Sequence, residues 1–260
     1  MKKTIIAAAF AFCAAFAFAQ NAESSLPQLG DQLEIEVTRP SGTEKHTVSV
    51  TAITLYNEKG QPLECKLQGL TITFEYDAKG NQTHYKDSFG EEWIAVYNAQ
   101  NQMTRRITYT NLDDSDRAPK VTTYEYDSKG NLVHSLNNEE EIWNEYDDDG
   151  NLIHSKSFTP GSNTLRYDQW LRYDQHGDLR QKTIDYGSDN LYEEFYDYNQ
   201  SGDKIRTYQM SRDSEPTIYE FDEHHNNSYI KVSEGFSYET WYENIYREDG
   251  TLQYTISYAE

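Results

Sequence analysis

Cysteine is almost absent from this chain: it has Cys13 and Cys65 and no others. Cys13 lies in the apolar run near the start, so removal of that run leaves one thiol and no intrachain disulfide. A second scarcity is of basic residues, 23 Lys and Arg against 44 Asp and Glu. Losing Lys2 and Lys3 would take the formal net charge from −21 to −23. So acidic a surface repels phosphate backbones and argues against nucleic-acid binding. Long apolar runs are missing after the first, which leaves no segment able to span a membrane as a helix. Also missing are a Gly-x-Ser-x-Gly elbow, a His-Glu-x-x-His pair and a phosphate-cradling glycine loop. Carboxylates are too numerous for any pair to stand out as a glycosidase dyad. No catalytic role and no cofactor is therefore expected.

The single apolar run has the layout of a signal peptide. Met1-Lys2-Lys3 is a basic start, Ile5 to Phe18 is the apolar stretch, and Ala17-Phe18-Ala19 offers small residues ahead of Gln20. Bulky Phe12 before Cys13 argues against lipidation. Residues 1–19 are thus expected to be removed, and the protein to be exported to the periplasm or the cell exterior.

What the chain has in abundance is tyrosine, 22 residues, with 4 Trp. A mean hydropathy of −0.90 suits a disordered chain. Tyr and Trp nevertheless carry large apolar bodies, each able to bury on the order of 150–250 Å². Many of the tyrosines recur at fixed places. Tyr76-Asp77-Ala78-Lys79-Gly80-Asn81, Tyr126-Asp127-Ser128-Lys129-Gly130-Asn131 and Tyr146-Asp147-Asp148-Asp149-Gly150-Asn151 are the clearest copies, with looser ones at Tyr56, Tyr97, Tyr173, Tyr198, Phe221 and Tyr246. Such a period marks one supersecondary unit stacked many times. Before Gly130, Thr122, Tyr124 and Tyr126 alternate with Thr123, Glu125 and Asp127, the two-residue period of a half-buried strand. Asp127 suits the first position of a type I turn and Gly130 the left-handed position of a hairpin with a bulge. Asn101 and His225 take the glycine slot in the third and eighth units. Asn tolerates that conformation, whereas His225 with Phe221 predicts the most distorted hairpin.

These features predict an all-β fold without helices, an array of antiparallel hairpins of about eighteen strands forming a curved or spiralling, solenoid-like sheet. Residues 51–260 form the array of nine units, and residues 20–50 a leader followed by a capping hairpin around Arg39-Pro40-Ser41-Gly42. Longer connecting loops are expected at Asp113 to Ala118 and Phe158 to Asn163. An open sheet end near Tyr254 to Tyr258 could pair with a second copy.

The Tyr-Asp-x-x-Gly-Asn-Leu pattern at Tyr126 to Leu132 and Tyr146 to Leu152 resembles the YD-repeat, or Rhs, family. The resemblance covers about four-fifths of the chain. It implies a spiralling β-sheet, which in large members closes into a shell, and a link to carbohydrate binding and cell-surface contact. The chain carries no segment resembling a toxin domain or its Asp-Pro-x-Gly cleavage site, so the resemblance implies a bare repeat array.

Alternation places Trp143, Trp170 and Trp241 on the face opposite their anchor tyrosines, together with Glu145, Arg172 and Glu243. Indoles beside carboxylates suit sugar recognition: the ring stacks on a pyranose and the polar groups take its hydroxyls. These six residues form the candidate ligand site, for a glycan or envelope component. The alternatives are docking of another exported protein, as scaffold, adhesin or accessory subunit, and a hydrolase whose acidic catalytic residues are hidden among the many. Trp93 falls on the tyrosine face and reads as core. His84, His134 and His154 share the position four residues after the turn glycine; other units place Glu64, Gln181, Arg206 and Tyr254 there, so a solvated strand position outweighs a metal site. Asp147-Asp148-Asp149-Gly150 resembles a calcium loop, but Lys156 stands where the closing glutamate belongs. Cys65 reads as a half-buried strand residue.

Overall fold

A computed structural model describes residues 26–39, 42–110, 118–188, 190–209, 216–232 and 238–260. The expected signal peptide, the first part of the leader, the Pro40-Ser41 turn and most of the Asp113 to Ala118 loop lie outside these residues. Among the described residues the regular structure is all strand. In chain order the strands are β1 Gln32–Arg39, β2 Gly42–Tyr56, β3 Pro62–Leu67, β4 Leu70–Tyr76, β5 Gln82–Asp87, β6 Glu91–Tyr97, β7 Met103–Thr110, β8 Lys120–Tyr126, β9 Leu132–Leu136 and β10 Glu141–Tyr146. They continue as β11 Leu152–Phe158, β12 Leu165–Tyr173, β13 Leu179–Asp185, β14 Leu191–Tyr198, β15 Lys204–Gln209, β16 Thr217–Phe221, β17 Asn227–Val232, β18 Tyr238–Tyr246 and β19 Leu252–Ala259. The chain divides into two compact units, one running to Thr71 and resuming at Thr217, the other spanning Ile72–Pro216.

The turn chemistry explains why so polar a chain reverses so often. At Asp127 one carboxylate oxygen accepts from the backbone N–H of Lys129 at 2.9 Å and of Asn131 at 2.8 Å, and the other accepts from the Asn131 amide at 3.0 Å. The backbone adds Asp127 N–H to the Asn131 carbonyl at 2.9 Å and Gly130 N–H to the Asp127 carbonyl at 3.1 Å. Gly130 sits at φ +96°, which side-chain-bearing residues rarely adopt. Asn57, Asn98 and Asn199 accept the equivalent backbone bond with their amide oxygens. The His225 turn is not distorted, contrary to the expectation. His225 takes φ 63° and its turn closes with bonds of 2.9 and 3.1 Å, the same as around Gly130. The preceding Asp222 supplies the same acceptor to His224 and Asn226, so the loop is held with His in the glycine slot.

Consecutive repeats are joined by their tyrosines. The phenol of Tyr97 donates to the carbonyl of Gln82, Tyr126 to Met103, Tyr146 to Leu132 and Tyr173 to Leu152, at 2.8–2.9 Å. Each acceptor lies just past the turn of the preceding repeat. Burial pushes all four phenols above the ordinary tyrosine pKa.

In the Ile72–Pro216 unit each strand pairs antiparallel with the next, and register shifts precede the anchor tyrosines at Glu75/Tyr76, Glu125/Tyr126 and Glu145/Tyr146. These are the bulges expected of such hairpins. In the other unit β16, β17, β18 and β19 continue the meander. There β19 pairs a second time, with β2, in a register that includes Tyr254↔Leu55, Ile256↔Ile53 and Tyr258↔Val50. This corrects the solenoid-like expectation and the open end at Tyr254 to Tyr258. A solenoid leaves its last strand as an edge of unsatisfied backbone groups, whereas β19 has partners on both sides and the strand order returns to the start of the array. Arg247 reinforces the junction by donating to the carbonyls of Tyr56 at 2.6 Å and Leu252 at 2.7 Å.

The first half of β2 pairs with β1 as a hairpin. Its apolar side contributes Ile35, Val37, Val48 and Val50 to a buried cluster with Tyr229, Trp241, Ile256 and Tyr258.

Two outcomes follow from the turns and the tyrosines. Tyr126→Phe removes one repeat-to-repeat hydrogen bond, so urea unfolding should show a loss of about 0.5–1.5 kcal/mol with an unchanged slope. Hydrogen bonds from the neighbouring Asn residues hold Asp77, Asp127 and Asp147 below the usual carboxylate range. Because the folded pKa values are depressed, their contribution is complete above the unfolded value of about 4 and is lost as pH falls through the folded values. Thermal melts followed by circular dichroism should therefore decline below about pH 4, and the triple variant Asp77→Asn, Asp127→Asn, Asp147→Asn should flatten that decline.

Candidate functional site

Strand alternation within the Ile72–Pro216 unit puts Trp143 and Glu145 of β10 on one face, with Asn144 and Tyr146 on the other. Trp143 lies directly across from His134 of β9 and Lys156 of β11. Trp170 of β12 lies across from His154 of β11 and Thr183 of β13. The two indoles hold the same station in consecutive hairpins.

Each indole rests on its histidine. The Trp143 and His134 rings stack at 4.0 Å with 22° between their planes, and the Trp170 and His154 rings at 5.5 Å with 13°. His134 is only 8% exposed, while Trp143 is 49% and Trp170 40% exposed. An indole packed on one face and still about half accessible presents its other face to solvent.

Carboxylates hold the imidazoles in place. His134 Nε2 is 3.2 Å from Glu141 Oε1 and its Nδ1 is 3.6 Å from Glu125. His154 Nε2 is 2.5 Å from Asp168 and its Nδ1 is 3.4 Å from Glu145. The first repeat of this unit repeats the pattern, with His84 between Glu92 at 2.7 Å and Glu75 at 3.2 Å. Burial disfavours the charged form of His84, but the two carboxylates outweigh it and raise the pKa above the ordinary histidine value. Glu141 Oε1 also accepts from the Trp143 Nε1–H at 3.2 Å, fixing the indole. Beside the rings, Lys156 lies 3.7 Å from Asp168, and Arg172 donates to Gln181 at 3.4 Å.

Of the six candidate residues, Trp143, Trp170, Glu145 and Arg172 lie exposed on this face. Trp241 and Glu243 belong to the other unit. Trp241 is 1% exposed, so the expectation that it joins an open binding surface is corrected. Its indole is packed 4.8 Å from the His46 ring of β2 and 5.7 Å from Tyr229, under the apolar side of the β1–β2 hairpin. Glu243 accepts the Tyr258 hydroxyl at 2.5 Å, a structural contact that raises the tyrosine pKa along with burial. Trp93 is half-buried and stacks on Tyr85 at 5.9 Å. Cys65 is half-buried in β3, its sulfur accepting from the Thr54 hydroxyl.

Sequence reasoning missed His134 and His154 as supports for the tryptophans, and Glu141 and Asp168 as their clamps. The signal available was the spacing: a residue four after the turn glycine meets the residue three before the next anchor tyrosine. Among the described residues no group of three or more His, Cys, Asp or Glu is arranged to hold a metal ion. The Asp147 carboxylate is occupied by Asn151.

No family model matches the sequence, and none of the curated proteins does. Among solved structures, the chain is similar to one in the crystal structure of TcdB2-TccC3-Cdc42, at 13% identity and a TM-score of 0.39 over 78% of this chain and 14% of that one. It is similar to a chain of a Photorhabdus luminescens Tc holotoxin pore at 12% identity and a TM-score of 0.31, over 83% and 15% of the two chains. A porin-like protein from Bacteroides uniformis matches at 11% identity and a TM-score of 0.46, over 81% and 96%. The chain thus spans about a seventh of the toxin-complex chains, 14–15% of their length.

The burial contrast gives a stability test. Trp241→Ala should cost about 3–5 kcal/mol, as for a large aromatic removed from a core. Trp143→Ala and Trp170→Ala should each cost less than Trp241→Ala, about 1–2 kcal/mol, because roughly half of each indole is already exposed and only the packing on its histidine is lost. Urea unfolding of the three single variants checks the order.

Proposed function

We propose that this is an exported YD-repeat (Rhs-type) protein whose role is binding rather than catalysis, and that it takes a carbohydrate of the cell envelope on the Trp143–Trp170 face. The observation that carries this reading is the pair of half-exposed indoles, each backed by a histidine that is itself held between carboxylates. Such support removes rotamer freedom before a ligand arrives, which lowers the ordering cost of binding. The open indole faces suit the apolar face of a pyranose, while Glu145, Arg172 and Lys156 supply donors and acceptors for hydroxyls around them. The Tyr-Asp-x-x-Gly-Asn-Leu repeats support the family assignment, and the Lys2-Lys3 start with the Ile5 to Phe18 run supports export.

A glycan array probed with residues 20–260 should give hits that disappear in the Trp143→Ala, Trp170→Ala double variant and persist in Lys59→Ala. A blank array, with crosslinking to an envelope protein through the same face, would replace this reading with protein docking.

A further inference from the structure

The exposed Arg105 of β7 shares the face of Trp143, so Arg106 points to the other side of the sheet, the side of Tyr124. Arg106 lies across from Ala95 of β6 and Thr122 of β8. The next β7 residue on that side is Thr108, which lies across from Trp93. The guanidinium carbon of Arg106 sits over the Trp93 ring, 6.0 Å from its centre, and that ring stacks on Tyr85 at 5.9 Å. The ring contact engages the charge of Arg106 and none of its N–H groups. Among the described residues six buried side-chain nitrogen and oxygen atoms lack a hydrogen-bond partner, and three of them meet here: Arg106 Nε, Thr108 Oγ1 and Thr122 Oγ1. Thr108 is 9% and Thr122 5% exposed. No carboxylate of the described residues pairs with Arg106, although acidic residues outnumber basic ones 44 to 23. Lys120, the neighbouring cation on this side, is engaged by Glu139 at 2.9 Å.

We infer that Arg106, Thr108 and Thr122 form a binding site for the carboxylate of a small acidic ligand. The site is on the face away from Trp143 and Trp170 and does not rest on the carbohydrate reading. Buried donors without partners cost a fold stability, so three together are explained by a ligand and not by the scaffold. All three groups can donate, and an ionised carboxylate only accepts. Its two oxygens match the guanidinium fork with parallel N–H···O bonds, and the hydroxyls on β7 and β8 serve its remaining lone pairs. Ala95, opposite Arg106, brings no acceptor of its own to compete. Arg106 is only half-buried, so a ligand can reach its guanidinium. One unpaired cation balances one negative charge; a phosphate dianion would keep a charge uncompensated inside a chain of net charge −21.

The test is titration calorimetry of the full chain with glucuronate, benzoate and inorganic phosphate at constant ionic strength. At least one carboxylate should bind saturably with a Kd of about 1 mM or tighter, and phosphate more weakly. Arg106→Gln should lower that affinity about tenfold or more. Arg105→Gln, on the opposite face of the same strand, should leave it unchanged. Circular dichroism of both variants verifies the fold. Thr122→Val separates site from scaffold: losing an unpartnered buried hydroxyl at constant shape should hold or raise the melting temperature of the free chain while weakening the carboxylate. Blank titrations with both carboxylates, or phosphate bound as tightly, would overturn the inference. An equal loss in Arg105→Gln would reduce it to adventitious attraction and overturn it too. So would a Thr122→Val chain that melts lower and binds as before, since the hydroxyl would then serve the fold alone.

Discussion

The repeated pairing of a turn carboxylate or amide with its own backbone, and of a tyrosine hydroxyl with the carbonyl past the previous turn, underlies everything else in this protein. The first contact closes each hairpin and the second ties it to its predecessor. Both use polar groups, which is how a chain of mean hydropathy −0.90 builds an ordered sheet. Tyrosine suits this arrangement because its ring supplies buried apolar area while its hydroxyl donates to a main-chain carbonyl of the preceding repeat. An array of leucines at the same positions would bury carbon but lose the hydrogen bond from each repeat to the one before it.

With the backbone held from the turns and the tyrosine face, the opposite face is free to vary. In one hairpin pair it carries His134 with Trp143, in the next His154 with Trp170, and in an earlier one His84 with Ile94. The carboxylate clamp is common to all three, and the indole is present in two. The scaffold thus sets the spacing and orientation of whatever the repeats display on this face. In the other unit the same kind of face is instead covered: the β1–β2 hairpin lies over Trp241 and turns it into core.

The hairpins were legible from sequence because their determinants are local. Asp127, Gly130 and Asn131 lie within five residues of each other, and the alternation around Tyr124 and Tyr126 is read directly. The facing of Trp143 and Trp170 followed from the same alternation, since β10 and β12 run without a break up to the bulge. What was not legible depends on contacts distant in sequence. No local feature announces that Tyr254 faces Leu55, or that Val48 and Tyr258 enclose Trp241. The histidine supports fall between these cases. Their slot was visible, but its pairing with the tryptophans depends on the offset between neighbouring hairpins, which the bulges alter by one residue.

The junction of β19 with β2 bears on the order of assembly. Hairpins whose turns span a few residues close quickly and can form in any sequence along the chain, but Tyr254 and Leu55 are separated by nearly the whole array and must pay the entropy of that long closure. The C-terminal strand is therefore the last to dock. Until it pairs with β2, the edges of β2 and of β19 are both templates for foreign strands, so the interval before Arg247 reaches the Tyr56 carbonyl is the one in which the chain is most exposed to misassembly.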